Sequence, residues 1–258
     1  MADLANAVAN VAAEAGALAM RRWRTGFRRW EKAPGHPVCD VDLEVDALLR
    51  KRLTALDAQA GWLSEETVDN ADRLSRRRVW VVDPIDGTRD YLRGREGWAV
   101  SIALVEEGRP VIALLDCPPR AAVFRAEAGQ GASLNGAPIH AAVRTELAGA
   151  RVPTEALPKA DRDLTMVYRP NSIALRIAMV ACGEADLVAT LRWGHEWDIA
   201  AAALIAREAG AEVSDALGRP LAFNTKSAEA FGVLATARGL HHAAVERLSE
   251  RAKAASRR

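Results

Sequence analysis

Two aspartates, Asp83 and Asp86, stand three positions apart directly after a short apolar run rich in Trp and Val. Branched and aromatic side chains favour a buried strand, so both carboxylates are predicted to lie where that strand ends. Pro84 has no N–H and is expected to stop the strand, while Gly87 suits a turn and Thr88 is predicted to cap a helix. Two acids on one tight turn can direct several oxygens at one point, as a hard divalent cation such as Mg²⁺ requires. A solvated acidic loop is the alternative.

Four further acidic residues, at three places along the chain, stand at the ends of predicted elements. Asp42 lies at the start of a predicted helix, Glu65 and Glu66 follow a short apolar segment, and Asp198 precedes an Ala-rich helix. Alone, the two aspartates read as helix caps and the glutamates as an exposed acidic turn. Burying two adjacent glutamates would be costly unless a cation or hydrogen-bond donors compensate their charge. These positions become candidate metal ligands only if they converge.

Composition limits the classes of function. The chain has 258 residues, 50% of them hydrophobic and 27% charged, which is an ordinary balance for a globular protein. A formal net charge of +1 argues against a general nucleic-acid-binding surface. Cys39, Cys117 and Cys182 are scattered and odd in number, so neither a zinc site nor a disulfide framework is predicted. With no recognisable signal peptide or membrane-length apolar run, we predict a cytoplasmic protein that does not contact membranes.

The first half of the chain changes from helices to strands. Hydrophobic periodicity predicts helices over residues 3–24 and 41–56, separated by a Pro- and Gly-rich loop at residues 32–37. An antiparallel meander is then predicted, with Asn135 and Gly136 as a hairpin signal, over residues 98–105, 111–117 and 122–126 and a piece near residue 134. This order indicates a layered α+β unit.

The second half alternates between strands and helices. Residues 141–163 are polar and weakly periodic, so we predict an α+β domain over residues 1–145 and an α/β domain over residues 146–258. The second domain would carry Asp198 and the substrate contacts. Its strands are predicted at 165–168, 185–191, 212–213 and 231–236, its helices at 172–182, 199–208 and 241–253, and a frayed end at 254–258.

Taken together, these pieces resemble the inositol monophosphatase superfamily of magnesium-dependent, lithium-sensitive phosphatases. The resemblance covers nearly the whole chain and rests on acidic motifs in the family's order, on residues 98–110 and on residues 198–202 with 208–210. The acidic motifs are Asp42, Glu65-Glu66, residues 83–88 and Trp197-Asp198. The resemblance implies an α/β/α/β/α sandwich and a phosphomonoesterase that uses two or three Mg²⁺ ions.

The resemblance also implies roles for individual residues. Glu65, Asp83 and the Ile85 carbonyl would hold the first metal ion. The second would be shared by Asp83, Asp86 and Asp198, and a third, looser ion would lie near Asp42. Thr88 and Glu65 would orient the attacking water, the amides of Gly87 and Thr88 would receive the phosphate, and Glu66 would support the ligands from behind.

Four departures from the family pattern bear on these roles. Cys39 stands where Thr or Ser is usual, which would weaken a supporting hydrogen bond. Asn171-Ser172 replaces Gly-Ser, and residues 141–163 look short, as if a strand or helix were abbreviated. Leu191 stands where inositol-specific members carry a glutamate for the ring hydroxyls. The last departure argues against inositol as the substrate.

Substrate assignment therefore depends on small differences. The motifs around Glu65 and Asp198 resemble those of the 3′(2′),5′-bisphosphate nucleotidase branch, with Ser172 and Arg192 contacting the substrate. Arg192 could pair with a second phosphate, or it could be an ordinary surface arginine. Inositol monophosphate and histidinol phosphate are the alternatives within the class. Outside it stands a non-catalytic regulator that binds RNA polymerase or RNA. Family members are often dimers, so a homodimer is an expectation.

Overall fold

The computed structural model describes residues 2–33 and 35–257. Its helices are α1 Ala2–Arg22, α2 Asp40–Leu56, α3 Thr88–Leu92, α4 Ile173–Ala181, α5 Glu196–Glu208 and α6 His241–Ser256. Its first strands are β1 Arg29–Ala33, β2 His36–Cys39, β3 Gly61–Ser64, β4 Arg78–Asp86, β5 Ala99–Glu106, β6 Arg109–Cys117 and β7 Ala122–Glu127. The remaining strands are β8 Ala132–Leu134, β9 Ala137–Ile139, β10 Arg151–Pro153, β11 Thr165–Val167, β12 Leu187–His195, β13 Glu212–Ser214 and β14 Glu229–Thr236.

A seven-stranded sheet runs in the order β3-β4-β5-β6-β7-β8-β9, with β3 parallel to β4 and the other pairs antiparallel. Its two faces are both buried, because alternate residues of a strand point to opposite sides. Trp80 and Val82 of β4 pack with α1 and α2, whereas Val79 and Val81 pack with α4 and α5. The Ala-rich sequence of α5 allows this close contact.

A second sheet, β12-β14-β13, lies beyond α4 and α5. Val188 and Val233 face the middle helices, while Leu187 and Leu234 face α6 on the outer side. The layers are therefore helices, sheet, helices, sheet and helix, which confirms the predicted α/β/α/β/α sandwich. No helix in the described ranges combines the length and apolar character that a membrane span needs. The division at residue 145 stays a prediction.

Three predictions about local structure were wrong. Residues 32–33 and 36–37, predicted as parts of a Pro- and Gly-rich loop, lie on the strands of the antiparallel hairpin β1–β2, and Gly35 between them has a positive φ of 76°. Pro34 of the predicted loop lies outside the described residues. Pro84 does not end β4, because the pairing of β4 with β5 shifts register between Asp83 and Asp86 and no regular ladder bond is needed there. The frayed end predicted for residues 254–258 is instead helical as far as Ser256, and Arg258 lies outside the described residues.

Two predicted helix caps also differ. Gly87, not Thr88, is the N-cap of α3, with φ 96°. His195 is the N-cap of α5, and Asp198 is the third helical residue, whose carboxylate reaches back toward the His195 N–H at 3.4 Å. Residues 141–163, the segment predicted to be short, carry the strand β10 and a single turn of 3₁₀ helix, Lys159–Asp161, and no α-helix.

Candidate metal centre and active-site cleft

Three carboxylates from distant parts of the chain converge at one edge of the large sheet. Glu65 follows β3, Asp83 lies where β4 changes register, and Asp198 lies in the first turn of α5. One carboxylate oxygen from each residue lies within 4.8 Å of the other two. Asp83 is almost fully buried, and its carboxylate accepts a hydrogen bond from the Ile85 N–H at 2.9 Å. The fold thus brings together three of the five predicted metal-binding acids in one compact cluster.

Electrostatics indicate what this cluster needs. Burial, reinforced by the negative charges of Glu65 and Asp86, raises the pKa values of Asp83 and Asp198 well above the ordinary aspartate value. Like charges at this spacing in a buried site are unfavourable unless a cation neutralises them. The converging ligand atoms are all carboxylate oxygens, the donor type that hard cations such as Mg²⁺ prefer. The residues present therefore fit a magnesium centre.

Asp86 is held from the other half of the chain. Its carboxylate accepts hydrogen bonds from the Ser172 hydroxyl at 2.5 Å and from the Ala174 N–H at 2.8 Å, both at the start of α4. Burial raises the pKa of Asp86 to about 6 against these opposing bonds. The prediction that Ser172 contacts substrate needs correction, because its side chain is fully buried and also accepts the Leu175 N–H as a helix cap. Ser172 positions Asp86 instead.

Asp42 sits behind the cluster at the start of α2. Its carboxylate accepts the Cys39 N–H at 2.8 Å and the Cys39 thiol at 3.0 Å, so cysteine does supply the supporting hydrogen bond at this position. The Thr88 hydroxyl lies 3.0 Å from the Ile85 carbonyl oxygen and 3.4 Å from Asp42 Oδ1. Burial raises the pKa of Asp42 to about 6 despite the bonds from Cys39. The Thr88 hydroxyl thus connects Asp42 with the Ile85 carbonyl, while the roles predicted for these residues stay predictions.

Gly87 explains why this turn needs a glycine. Its φ of 96° lies in the left-handed region, and an added Cβ would come within 2.6 Å of the Gly97 carbonyl oxygen and 2.9 Å of the Ser172 nitrogen. The backbone of β4 therefore turns into α3 in tight contact with the start of α4. Gly87 and Thr88 both line the cleft over the acidic cluster, where a phosphate contact to their amides remains a proposal.

Lys32 was missed by the sequence reasoning. It lies on β1, and its ammonium donates hydrogen bonds to Glu66 and, at 3.3 Å, to Glu65. Burial raises the pKa of Glu66 to about 7, with the Lys32 hydrogen bond opposing that shift. Lys32 therefore compensates the two adjacent glutamates from outside the cluster. The Pro- and Gly-rich composition around it predicted a loop, which gave no reason to bring its side chain to Glu65.

The cleft over the cluster has a volume of about 340 Å³. Among the described residues, its lining includes seven that were predicted for the site: Glu65, Asp83, Asp86, Gly87, Thr88, Arg192 and Asp198. The other four predicted residues stand behind this lining. The Thr88 hydroxyl contacts Asp42 and Ile85, Ser172 donates to Asp86, and Lys32 donates to Glu66. The cleft also has a basic side formed by four arginines, Arg89, Arg169, Arg176 and Arg192.

Arg176 is the most confined of these arginines and carries no motif that the sequence could have revealed. Its guanidinium donates to the carbonyl oxygens of Pro170 at 2.9 Å and Asn171 at 2.6 Å. Burial, followed by the neighbouring charge of Arg169, lowers the pKa of Arg176 to about 10, so it stays protonated near neutrality. It supplies fixed positive charge beside Asp86.

Comparison with known proteins agrees with this geometry. A family model described as "Inositol monophosphatase family" matches residues 1–254. The Nus factor SuhB of Xylella fastidiosa is 39% identical over 194 residues, covering 69% of each protein. Inositol monophosphatase 2 of Solanum lycopersicum is 32% identical over 231 residues, covering 81% of this chain and 87% of that protein. The solved structure of the suppressor protein suhB from Bartonella henselae superposes with a TM-score of 0.82 at 25% identity, covering 95% of this chain and 98% of that one.

Proposed function

The chain belongs to the inositol monophosphatase family, and from this premise we propose that it is a magnesium-dependent phosphomonoesterase. The observation that carries the proposal is the convergence of Glu65, Asp83 and Asp198, with ligand oxygens within 4.8 Å of one another, in a cleft that also contains four arginines. An acidic cluster alone would repel a phosphate. An acidic cluster that holds cations, beside fixed arginines, would attract one.

Two or three Mg²⁺ ions would be held by Glu65, Asp83, Asp86, Asp198 and the Ile85 carbonyl, with Asp42 near the loosest of them. When bound, they would neutralise the phosphate and lower the pKa of a bound water toward neutrality. Asp86 is fixed for this task by Ser172 and Ala174, so its ligand oxygen needs little reorganisation.

The chain's own residues would then orient the reactants. The Thr88 hydroxyl lies within hydrogen-bond distance of the Ile85 carbonyl and of Asp42, and Glu65 lines the same cleft. The side chains of Thr88 and Glu65 can therefore accept hydrogen bonds from the attacking water. The amides of Gly87 and Thr88 would receive phosphate oxygens. Lys32 would keep Glu65 and Glu66 in place by its two hydrogen bonds.

For the substrate, we propose a phosphate ester with a second anionic group, most simply a 3′(2′),5′-bisphosphate nucleotide. The support is Arg192, which is exposed, lines the cleft, and forms no ion pair with any described residue. The relatives reported above carry inositol monophosphatase and Nus factor names, so this choice rests on the arginines. Inositol monophosphate and histidinol phosphate are the alternatives.

Arg192→Ala is expected to raise the KM for adenosine 3′,5′-bisphosphate, because a charge-assisted bond to its second phosphate is lost. The unaltered protein should have a higher kcat/KM for this bisphosphate than for inositol 1-phosphate, and the variant should narrow that gap. Steady-state kinetics on both substrates measure the effect, with Arg219→Ala as a control at an exposed arginine outside the cleft lining. A preference for inositol 1-phosphate, or equal effects on both substrates, would count against the bisphosphate.

Lithium is expected to inhibit the reaction at millimolar concentration. Li⁺ is a small, oxygen-seeking cation, and we expect it to bind beside Asp86 and Asp198 once the phosphate product is present. Inhibition should therefore be uncompetitive with substrate and should grow as Mg²⁺ approaches saturation. Initial rates at several Li⁺ and substrate concentrations test this, with K⁺ at matched ionic strength as the control. Insensitivity to Li⁺ would contradict the role given to these two aspartates.

A second candidate function is a regulator of transcription, favoured by the similarity to the Nus factor of Xylella fastidiosa. Such a role would use the surface of the fold and would not need the acidic cluster. Binding to purified RNA polymerase, compared between the unaltered protein and Asp83→Asn, separates the two functions.

The free thiols Cys39, Cys117 and Cys182 support a reducing, cytoplasmic location, and a homodimer remains part of the proposal.

A further inference from the structure

An exposed indole stands at the acidic cleft beside Arg192. Trp193 on β12 lines the same cleft as the metal-binding acids, yet its side chain is 53% exposed. The next residue, Gly194, is close to the cluster, since a Cβ built on it would lie 3.9 Å from Asp198 Oδ2. A large aromatic ring is thus held at the cleft wall without being buried by the chain itself.

The fold fixes this ring from one side. Trp193 pairs with Phe231 across β12 and β14, and their rings meet edge to face with centroids 5.5 Å apart at 62°. Phe231 is buried, so it provides a rigid support. The pairing of β12 with β14 shifts register between Thr190 and Trp193. Such an irregularity changes the direction of side chains along a strand. Here Leu191 packs into the outer core, whereas the next residue, Arg192, lines the cleft.

The chemistry of this wall differs from what a polyol would need. A ring covered with hydroxyl groups requires hydrogen-bond partners, and each one left unmade in a closed site costs on the order of 1–3 kcal/mol. Leu191, which is packed into the outer core, offers no such partner to the cleft, and the face of Trp193 offers none either. An indole face binds planar aromatic rings well, because stacking needs no hydrogen-bond match.

We propose that Trp193 and Arg192 form a subsite for the leaving group of the substrate, in which Trp193 stacks on a planar aromatic ring and Arg192 pairs with a second anionic group. This identifies the substrate class as phosphorylated nucleosides, and it rests on the proposed phosphatase activity. His195 and Trp197, stacked with centroids 4.3 Å apart at 12°, add a second aromatic surface to the same cleft.

Four phosphate esters separate the two contacts. Adenosine 3′,5′-bisphosphate has both the aromatic ring and a second phosphate, and adenosine 3′-monophosphate has the ring alone. Fructose 1,6-bisphosphate has the second phosphate alone, and inositol 1-phosphate has neither. Steady-state kinetics on all four at saturating Mg²⁺ would be measured for the unaltered protein, Trp193→Leu, Trp193→Phe and Arg192→Ala. Tyr168→Leu is the matched control, because Tyr168 is 55% exposed and lies outside the lining of this cleft.

Trp193→Leu is expected to raise the KM of both adenosine substrates about tenfold relative to the two substrates without an aromatic ring, the scale of one lost base stack. Trp193→Phe should recover most of that loss, because it restores an aromatic face. Arg192→Ala should instead raise the KM of both bisphosphates relative to the KM of both monophosphates. Tyr168→Leu should leave all four ratios unchanged. This crossed pattern cannot arise from a general loss of folding.

Equilibrium binding of adenosine 5′-monophosphate, the expected product, gives a second measurement that needs no turnover. Stacking on Trp193 should quench tryptophan fluorescence, and Trp193→Phe should keep the affinity while losing most of the quenching. Equal effects of Trp193→Leu on all four substrates, or quenching that survives in Trp193→Phe, would overturn the subsite. Absence of hydrolysis of every substrate would instead refute the phosphatase proposal, so the two failures are distinguishable.

Discussion

Asp83→Asn is expected to lose nearly all phosphatase activity while the protein remains folded. Asparagine keeps the shape and one carbonyl oxygen of the side chain but removes the negative charge at the centre of the Glu65, Asp83 and Asp198 cluster. Removing even a residue that only hydrogen-bonds to a metal ligand lowers metal affinity or activity about 10–100-fold. Removing the charge of a shared ligand should therefore lower the activity by more than about a hundredfold. Initial rates of phosphate release at saturating Mg²⁺ measure the effect.

The thermal stability of Asp83→Asn in the absence of Mg²⁺ should rise, although its activity falls. Metal-free Asp83 is a buried carboxylate whose pKa is raised by burial and by the charges of Glu65 and Asp86. Removing this charge relieves repulsion, so Asp83→Asn should melt at a higher temperature than the unaltered protein when Mg²⁺ is absent. The variant should gain little from added Mg²⁺. A variant that is inactive because it is misfolded would show the opposite, a lower melting temperature.

Asp116→Asn is the matched control for this substitution. Asp116 is also a buried aspartate on the same sheet, and burial raises its pKa to about 6, but it lies on β6 outside the cleft. Its replacement should keep activity within a few-fold of the unaltered protein. If Asp83→Asn were as active as Asp116→Asn, Asp83 would not be a metal ligand.

Magnesium is expected to stabilise the protein strongly at pH values near 8 and hardly at all near 5. Burial raises the pKa values of Asp42 and Asp86 from the ordinary value of 3.8 to about 6. Between these values, the metal-free folded protein holds protons that the unfolded chain has lost. Its stability therefore falls as the pH rises through this window, since the folded state binds more protons. Magnesium needs the deprotonated carboxylates, so its stabilisation grows over the same window.

Thermal unfolding with and without Mg²⁺ across this pH range measures the difference. One site filled to a hundred times its dissociation constant contributes about 2.7 kcal/mol, which corresponds to roughly 5–10 °C for a chain of this size. Asp83→Asn should abolish most of the pH-dependent increase in melting temperature that Mg²⁺ causes, whereas Asp116→Asn should keep this increase. A magnesium-induced shift that is the same at both ends of the pH range would contradict the assignment of Asp42 and Asp86.

Much of the site was predictable because its acids stand at the ends of strongly patterned elements. The apolar run before Asp83 predicts a buried strand, and the ends of β3 and β4, which are parallel neighbours, meet at one sheet edge. That relation brings Glu65 to Asp83 without any detail of the loops. The order of the acidic motifs carries the family resemblance, and that resemblance implied the layered sandwich.

The remainder depended on contacts between distant segments. Lys32 reaches Glu65 from a hairpin whose composition indicates a loop, and Arg176 binds two backbone carbonyls that no pattern specifies. Ser172 was assigned to substrate because of its place in a motif, but packing of α4 against the turn at Gly87 commits its hydroxyl to Asp86. Such tertiary constraints decide between a side chain that touches substrate and one that positions a ligand.

The measurement that tests the central claim most directly is phosphate release by the purified protein as a function of Mg²⁺ concentration. The assay would use adenosine 3′,5′-bisphosphate and inositol 1-phosphate, each with chelated and with saturating Mg²⁺, and would include Asp83→Asn and Asp116→Asn. We predict no release without Mg²⁺, saturable release with it, near-complete loss in Asp83→Asn and retention in Asp116→Asn. Release that persists after chelation, or a protein that binds Mg²⁺ but hydrolyses neither substrate, would contradict this account.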